Sequence, residues 1–177
     1  MRFALSLIPY FGALQMFKSL LLASTVFASP LLAESVNMNG YSALLDSTRK
    51  DIKSGKALTE IAENAKTLVK LSRGILTNFG KSEPACKTYL EAALKAESLM
   101  MAADLETIER DYHHDKALPK APKKCYQVKD LLVHPATVYV LAQKHAKDQS
   151  VRGKMGAELA ELTGHLAYVK MLVSPKK

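Results

Sequence analysis

Apolar residues recur at intervals of three and four along most of the chain after residue 57, which is the spacing that places them on one face of an α-helix. No segment keeps the apolar–polar alternation that is typical of a half-buried strand. We therefore predict an all-α protein. The clearest apolar series belong to the second and fifth predicted helices and consist of Leu58, Ile61, Ala62, Ala65, Leu68, Ser72, Ile75, Leu76 and Phe79, and of Val151, Met155, Leu159, Leu162, Leu166, Val169 and Val173.

Glycine, serine and proline mark the boundaries of the remaining helices. A weaker first helix is predicted for residues 41–52, and Gly80 is the expected end of the second helix because glycine tolerates the left-handed backbone found there. Ser82 is the expected N-terminal cap of a third helix that runs to about residue 110. The fourth helix contains Pro135, which predicts a kink or a fresh start because proline lacks a backbone donor.

Four amphipathic helices of this length cannot bury their apolar faces separately, so packing around one common core is the simplest arrangement. The connections from second to third helix and from fourth to fifth are short, which makes each pair antiparallel. We predict an antiparallel four-helix bundle with an extra N-terminal helix or arm and one disulfide. Residues 34–177 are enough for a single domain of this kind.

The first 33 residues are apolar apart from a few positions and are predicted to be a secretory signal peptide. Lys18 supplies a basic start, and an apolar core follows before small residues. The alternative is a membrane anchor, which needs about 20 uninterrupted apolar residues. Because Lys18 divides the run and Pro30 ends it, we favour cleavage, which leaves no transmembrane anchor and places the protein in the periplasm or outside the cell.

The preferred cleavage lies after Ala33, with Ala28 as the alternative, and Met16 is an alternative initiator. Removing Arg2 and Lys18 lowers the formal charge from +8 to +6. A basic surface suits anionic partners. For an exported protein, we expect an anionic envelope component or an acidic protein rather than nucleic acid.

The two cysteines, Cys86 and Cys125, are predicted to form a disulfide, which is the usual state of an isolated pair in an oxidising compartment. Cys86 lies at the start of the third helix, so the chain must come back along that helix before Cys125 can reach it. The remaining residues are long enough only if the helix breaks near residues 110–113. Pro119 and Pro122 favour an extended path for the return.

Five histidines are the candidate metal ligands. The adjacent His113 and His114 point away from each other if they are helical, so this pair is a poor chelate, and an interaction with the helix C-terminus is the more ordinary interpretation. His134 and His165 come close together if the last two helices form a hairpin. With Asp130 or Tyr139 nearby they would make a two-histidine metal site, although ordinary half-buried histidines are the simpler interpretation.

Patterns of known enzymes and cofactor sites do not occur. The chain contains no GxSxG, HExxH, Walker loop, GxGxxG or CxxCH motif. The methionines Met101 and Met155 fall on apolar faces, where a role in the core is expected. We therefore predict a protein that is not an enzyme, and we assign it no cofactor.

The segment before the fourth helix is rich in lysine, and we predict that these residues line an anion-binding strip, although a purely solubilising role is the simpler interpretation. The leading functional hypothesis is a non-catalytic binding or interaction module. The alternative is a small metal- or haem-binding bundle that uses His134 and His165. Three or more ligands converging on this pair would favour the alternative. The lysines of the strip are Lys116, Lys120, Lys123, Lys124 and Lys129.

Overall fold

The computed structural model describes residues 30–174, with side chains from residue 38. Every regular element in this part of the chain is helical, which confirms the predicted all-α class. The predicted signal peptide and its cleavage points lie outside the residues whose side chains are described. The elements are α1 (Pro30–Lys53), α2 (Leu58–Ser82), α3 (Pro84–Lys95), α4 (Glu97–Ala102), α5 (Leu105–Thr107), a π-helical segment (Ile108–His113), α6 (Lys123–Lys144) and α7 (Val151–Val173).

Helix α6 lies at the centre of the molecule. It packs most extensively against α2 and α7 and also contacts α3 and α4. Helix α1 packs against α2 and α7. The predicted bundle of the second to fifth helices, with an extra N-terminal helix, is not confirmed, because α1 takes part in the main packing and the third predicted helix is divided. Within residues 30–174 we find no helix of the length and apolar character needed to cross a membrane.

The predicted apolar faces of the second and fifth helices are confirmed as core. All their positions are buried except Leu58 and Val173, which lie at helix ends and are half-buried. The predicted boundary at Gly80 is wrong, since α2 continues to Ser82. Ser82 is therefore the last residue of α2 rather than a cap, and α3 begins at Pro84, whose fixed φ suits a first helical position.

The third predicted helix is interrupted much earlier than expected. The chain leaves α4 at residue 103 in an extended conformation, and the Asp104 carboxylate accepts a hydrogen bond of 2.7 Å from the Thr107 amide to start the next helical turn. Lys144, at the end of α6, donates to the carbonyls of Ala102 and Ala103. The chain therefore reverses here, and residues 105–113 return along α6 toward its N-terminal end.

The predicted disulfide between Cys86 and Cys125 is present, and both residues are fully buried. The predicted route to it is only partly right. The return begins with the helical residues 105–113 rather than with an extended segment, and this helix ends at His113, within the expected region. The non-helical residues 114–122 complete the return, and Pro122 has polyproline-like dihedral angles, with φ of −59° and ψ of 148°. Pro122 immediately precedes α6, which places Cys125 in the first turn of that helix.

Helix α6 continues through Pro135 without a fresh start. Proline has no amide hydrogen, so the Leu131 carbonyl, four residues earlier, loses its helical hydrogen bond. The buried Tyr41 hydroxyl of α1 donates to this carbonyl at 2.6 Å. A side chain from another helix thus supplies the donor that the proline removes.

We expect Tyr41→Phe to lower the free energy of unfolding by about 1–3 kcal/mol, because it leaves the Leu131 carbonyl buried and unsatisfied. Urea denaturation measures the change. In a Pro135→Ala background the new amide can satisfy the same carbonyl, so the cost of Tyr41→Phe should shrink. An equal cost in both backgrounds would contradict this role of the tyrosine.

Candidate metal centre

Three polar residues of α6 are buried in the core: Lys129 is 0 % exposed, Asp130 6 % and His134 1 %. Charged side chains are almost never buried to this degree unless they are paired. Their neighbours come from the π-helical end of the returning segment, residues 105–113, and from α7. The polar partners of this group therefore define the candidate site.

The Lys129 ammonium is held by the end of the π-helical segment. Its Nζ donates to the carbonyls of Tyr112 at 2.6 Å and His113 at 3.1 Å, which are among the last carbonyls of a helical segment and have no helical partner. Nζ also lies 2.7 Å from Asp130 Oδ1 and 3.2 Å from Asp115 Oδ1. Lys129 Nζ and Asp130 Oδ1 are close enough for an ion pair, but the geometry is not that of a hydrogen bond, so this oxygen has no hydrogen-bond partner.

Asp115 holds the connection that follows the π-helical segment. Its φ of 59° is left-handed, a conformation that aspartate tolerates better than most residues. Its carboxylate accepts a hydrogen bond of 2.5 Å from the Tyr89 hydroxyl of α3. Burial, together with this carboxylate, raises the pKa of Tyr89 well above its usual value, so the hydroxyl remains a donor.

Four potential metal ligands converge beside this lysine. His113, Asp130 and His134 each offer a ligand atom within 4.8 Å of the other two. The ring of His165 stacks on that of His134 with 5.0 Å between centroids, and its Nε2 lies 3.7 Å from Asp130 Oδ2. Sequence reasoning brought His134, His165 and Asp130 together, but it assigned His113 to the helix end.

Each of the three histidines has its Nδ1 next to an oxygen on the outside of the group. The Nδ1 atoms of His113, His134 and His165 lie 3.3, 2.7 and 2.7 Å from oxygens of Glu109, Glu158 and Gln127, respectively. An acceptor at Nδ1 favours the tautomer whose Nε2 carries the free lone pair, as in metal-bound histidines. The Nε2 of His134 is buried and has no hydrogen-bond partner.

Burial lowers the pKa of His165 below its usual value, and although Asp130 acts in the opposite direction, the nearby histidines and Lys129 lower it as well. Its ring is therefore neutral over a wider pH range than that of a free histidine. A metal ion needs this neutral form, because a protonated imidazole has no lone pair to donate.

Not all lysines of the predicted strip lie on the surface. Lys116, Lys120 and Lys123 are exposed, whereas Lys124 is paired with Glu83 at 2.5 Å. Lys129 is fully buried and belongs to the candidate metal centre instead. The prediction of a strip of five surface lysines is therefore wrong for Lys129, because the ion pairs and carbonyls around it were not visible in the sequence.

His113 joins the site only through the tertiary structure, and no local sequence pattern indicates it. It lies 21 positions before His134 and reaches it only because the chain reverses at residues 103 and 104. Its neighbour His114 points outward and has a side chain that is 64 % exposed. The expectation that the adjacent histidines point away from each other is wrong, because the π-helical segment ends at His113 and leaves His114 outside it. The two ring centroids lie 5.5 Å apart, and both rings have a nitrogen within 3.3 Å of Glu109 Oε1.

Comparison of this chain with protein-family models, curated proteins and solved structures gives no match.

We expect Lys129→Met to lower the free energy of unfolding by about 3–5 kcal/mol, because it leaves buried carboxylates and carbonyls without their cation. Chemical denaturation measures the loss. Lys124→Met is the matched control: its pair with Glu83 is about one third exposed on each side, so we expect a loss of at most about 1 kcal/mol. Similar losses for the two variants would contradict a structural role for the buried pair.

Proposed function

We propose that this protein binds a divalent first-row transition-metal ion through His113, Asp130 and His134, with His165 beside them. The observation that carries the proposal is the buried Nε2 of His134, which has no hydrogen-bond partner. A buried polar atom normally has one, and a metal ion would satisfy this nitrogen together with the neighbouring ligand atoms of His113 and Asp130.

The donor atoms limit the choice of ion. Imidazole nitrogens with one carboxylate suit zinc, and also iron, cobalt and nickel, whereas calcium and magnesium prefer oxygen ligands. Both cysteines are used in the disulfide, so no thiolate contributes. Ligand atoms around a four-coordinate ion with bonds of about 2.0 Å lie about 3.3 Å apart. Binding would therefore draw the three side chains together by up to about 1.5 Å.

The haem version of the metal hypothesis is less well supported. The rings of His134 and His165 stack face to face, with an angle of 26° between their planes. Axial ligands of a haem instead point their nitrogens at an iron between them, and stacked rings leave no space for the porphyrin. Met155, a residue that could have joined such a site, is buried in the core.

The hypothesis of an anionic partner is less well supported than the sequence indicated, because two of the five lysines in the predicted strip are not exposed. Only Lys116, Lys120 and Lys123 of the predicted strip remain exposed. Export to the periplasm or outside the cell remains part of our proposal, supported by the disulfide, since such bonds persist mainly in oxidising compartments. The proposal assigns a binding role to the protein and no catalytic one.

We expect the chelator-treated protein to bind about one Co²⁺ or Zn²⁺ per chain, and His134→Gln to weaken this binding by about 100-fold or more, because direct ligands matter at least as much as the groups behind them. Calorimetry and elemental analysis give affinity and stoichiometry. His145→Gln, at the C-terminal end of the same helix, is the control and should bind as the wild type does. A wild-type protein without stoichiometric binding, or equal binding by both variants, would overturn the proposal.

We expect Glu158→Gln to weaken metal binding by about 10- to 100-fold, because Glu158 is not a ligand but fixes and polarises the His134 ring through Nδ1. The same titration measures the effect. Glu161→Gln removes an exposed carboxylate from the same helix. It should leave the affinity within about twofold of the wild type, because only the Glu158 carboxylate contacts the His134 ring. A weaker effect for Glu158→Gln than for Glu161→Gln would contradict this role.

A further inference from the structure

A second group of ligand atoms lies between the buried centre and the solvent. Glu109 Oε1 is 3.3 Å from His113 Nδ1 and 3.0 Å from His114 Nε2, and ligand atoms of all three residues lie within 4.8 Å of one another. The side chains of Glu109 and His114 are 57 % and 64 % exposed, whereas that of His113 is 25 % exposed. We call these three residues the outer group.

The outer group and the buried centre share His113. A neutral imidazole has one nitrogen with a free lone pair, so the His113 ring can bind an ion in one place or in the other but not in both at once. The buried centre itself offers little access, since His134 is 1 % exposed and Asp130 is 6 % exposed. Among the four candidate ligands His113 has the most exposed side chain, 25 % against 19 % for His165, so the path past His113 is the most open one.

We infer that Glu109 and His114 form the entry site of the buried metal centre, and that His113 transfers the ion from this entry site to the buried centre. This inference rests on the proposed function. The ion first exchanges water for Glu109, His114 and His113. Rotation of the His113 ring, with the ion on the same nitrogen throughout, then replaces the two outer ligands by Asp130 and His134, while the other ring nitrogen keeps the N–H proton.

The backbone supports such a movement of the ring alone. The His113 carbonyl is fixed by the Lys129 ammonium at 3.1 Å, so the main chain provides a fixed pivot. The carboxylate of Glu109 attracts cations at the exposed end of the path, and charged surfaces of this kind raise association rates. The Lys129 charge, which would repel the incoming ion, is paired with Asp115 and Asp130.

Stopped-flow measurement of Co²⁺ and Zn²⁺ binding and release tests the inference, with the full protein and the metal ion alone as the probe. We expect His114→Gln to slow both association and release by about tenfold. In this variant the equilibrium affinity and the stoichiometry should remain those of the wild type, because a residue on the path changes the barrier and not the bound state. Glu109→Gln should slow association as well, but it should also weaken equilibrium binding, because Glu109 orients the His113 ring. Glu106→Gln, another exposed carboxylate of the returning segment, is the control and should change neither rate.

The His114 variant decides the outcome, because Glu109 also orients His113. Unchanged rates in His114→Gln, with normal affinity, would overturn the entry site and leave the buried centre intact. A loss of affinity in His114→Gln with an unchanged association rate would also overturn it, because His114 would then belong to the final ligand set. A wild-type protein that binds no metal would instead refute the proposed function itself.

Discussion

The buried ammonium of Lys129 is the constraint on which the rest of this fold depends. Desolvating one such charge costs several kcal/mol, so it is tolerated only with nearly complete compensation. The compensation comes from two carbonyls at the end of the π-helical segment and from the carboxylates of Asp115 and Asp130. These groups lie on three different parts of the chain. Satisfying one cation therefore fixes where the returning segment ends, how the connection to α6 begins and where the Asp130 side chain lies.

Two further interactions keep this arrangement in place. The disulfide joins the start of α3 to the first turn of α6, and the hydrogen bond from Tyr89 to Asp115 ties the connection to α3 only three residues beyond Cys86. The Tyr41 hydroxyl compensates the carbonyl that Pro135 leaves unpaired, so α6 remains helical on both sides of the proline. His134 can then lie inside a continuous helix and face the core.

The candidate metal centre follows from these constraints rather than from a local motif. Its ligands come from the returning segment, from α6 and from α7, and the outer acceptors Glu109, Glu158 and Gln127 lie on the same three elements. Such a centre exists only in the folded chain, so an ion bound there would stabilise the native state. The position of His113 between solvent and core also connects the function we propose to the route by which an ion would arrive.

The sequence by itself determined the all-α class, the buried faces of α2 and α7 and the proximity of His134 and His165, because each follows from helical periodicity or from the pairing of neighbours in a hairpin. It also determined the cysteine pairing, because the chain contains only two cysteines. Tertiary structure alone decided the reversal at residues 103 and 104, the burial of Lys129 and the entry of His113 into the site. The reversal is held by Lys144, some 40 positions away, which donates to the carbonyls of Ala102 and Ala103. Periodicity carries no information on such contacts, since it shows which side of a helix is apolar but not which distant carbonyl or carboxylate will meet a charge.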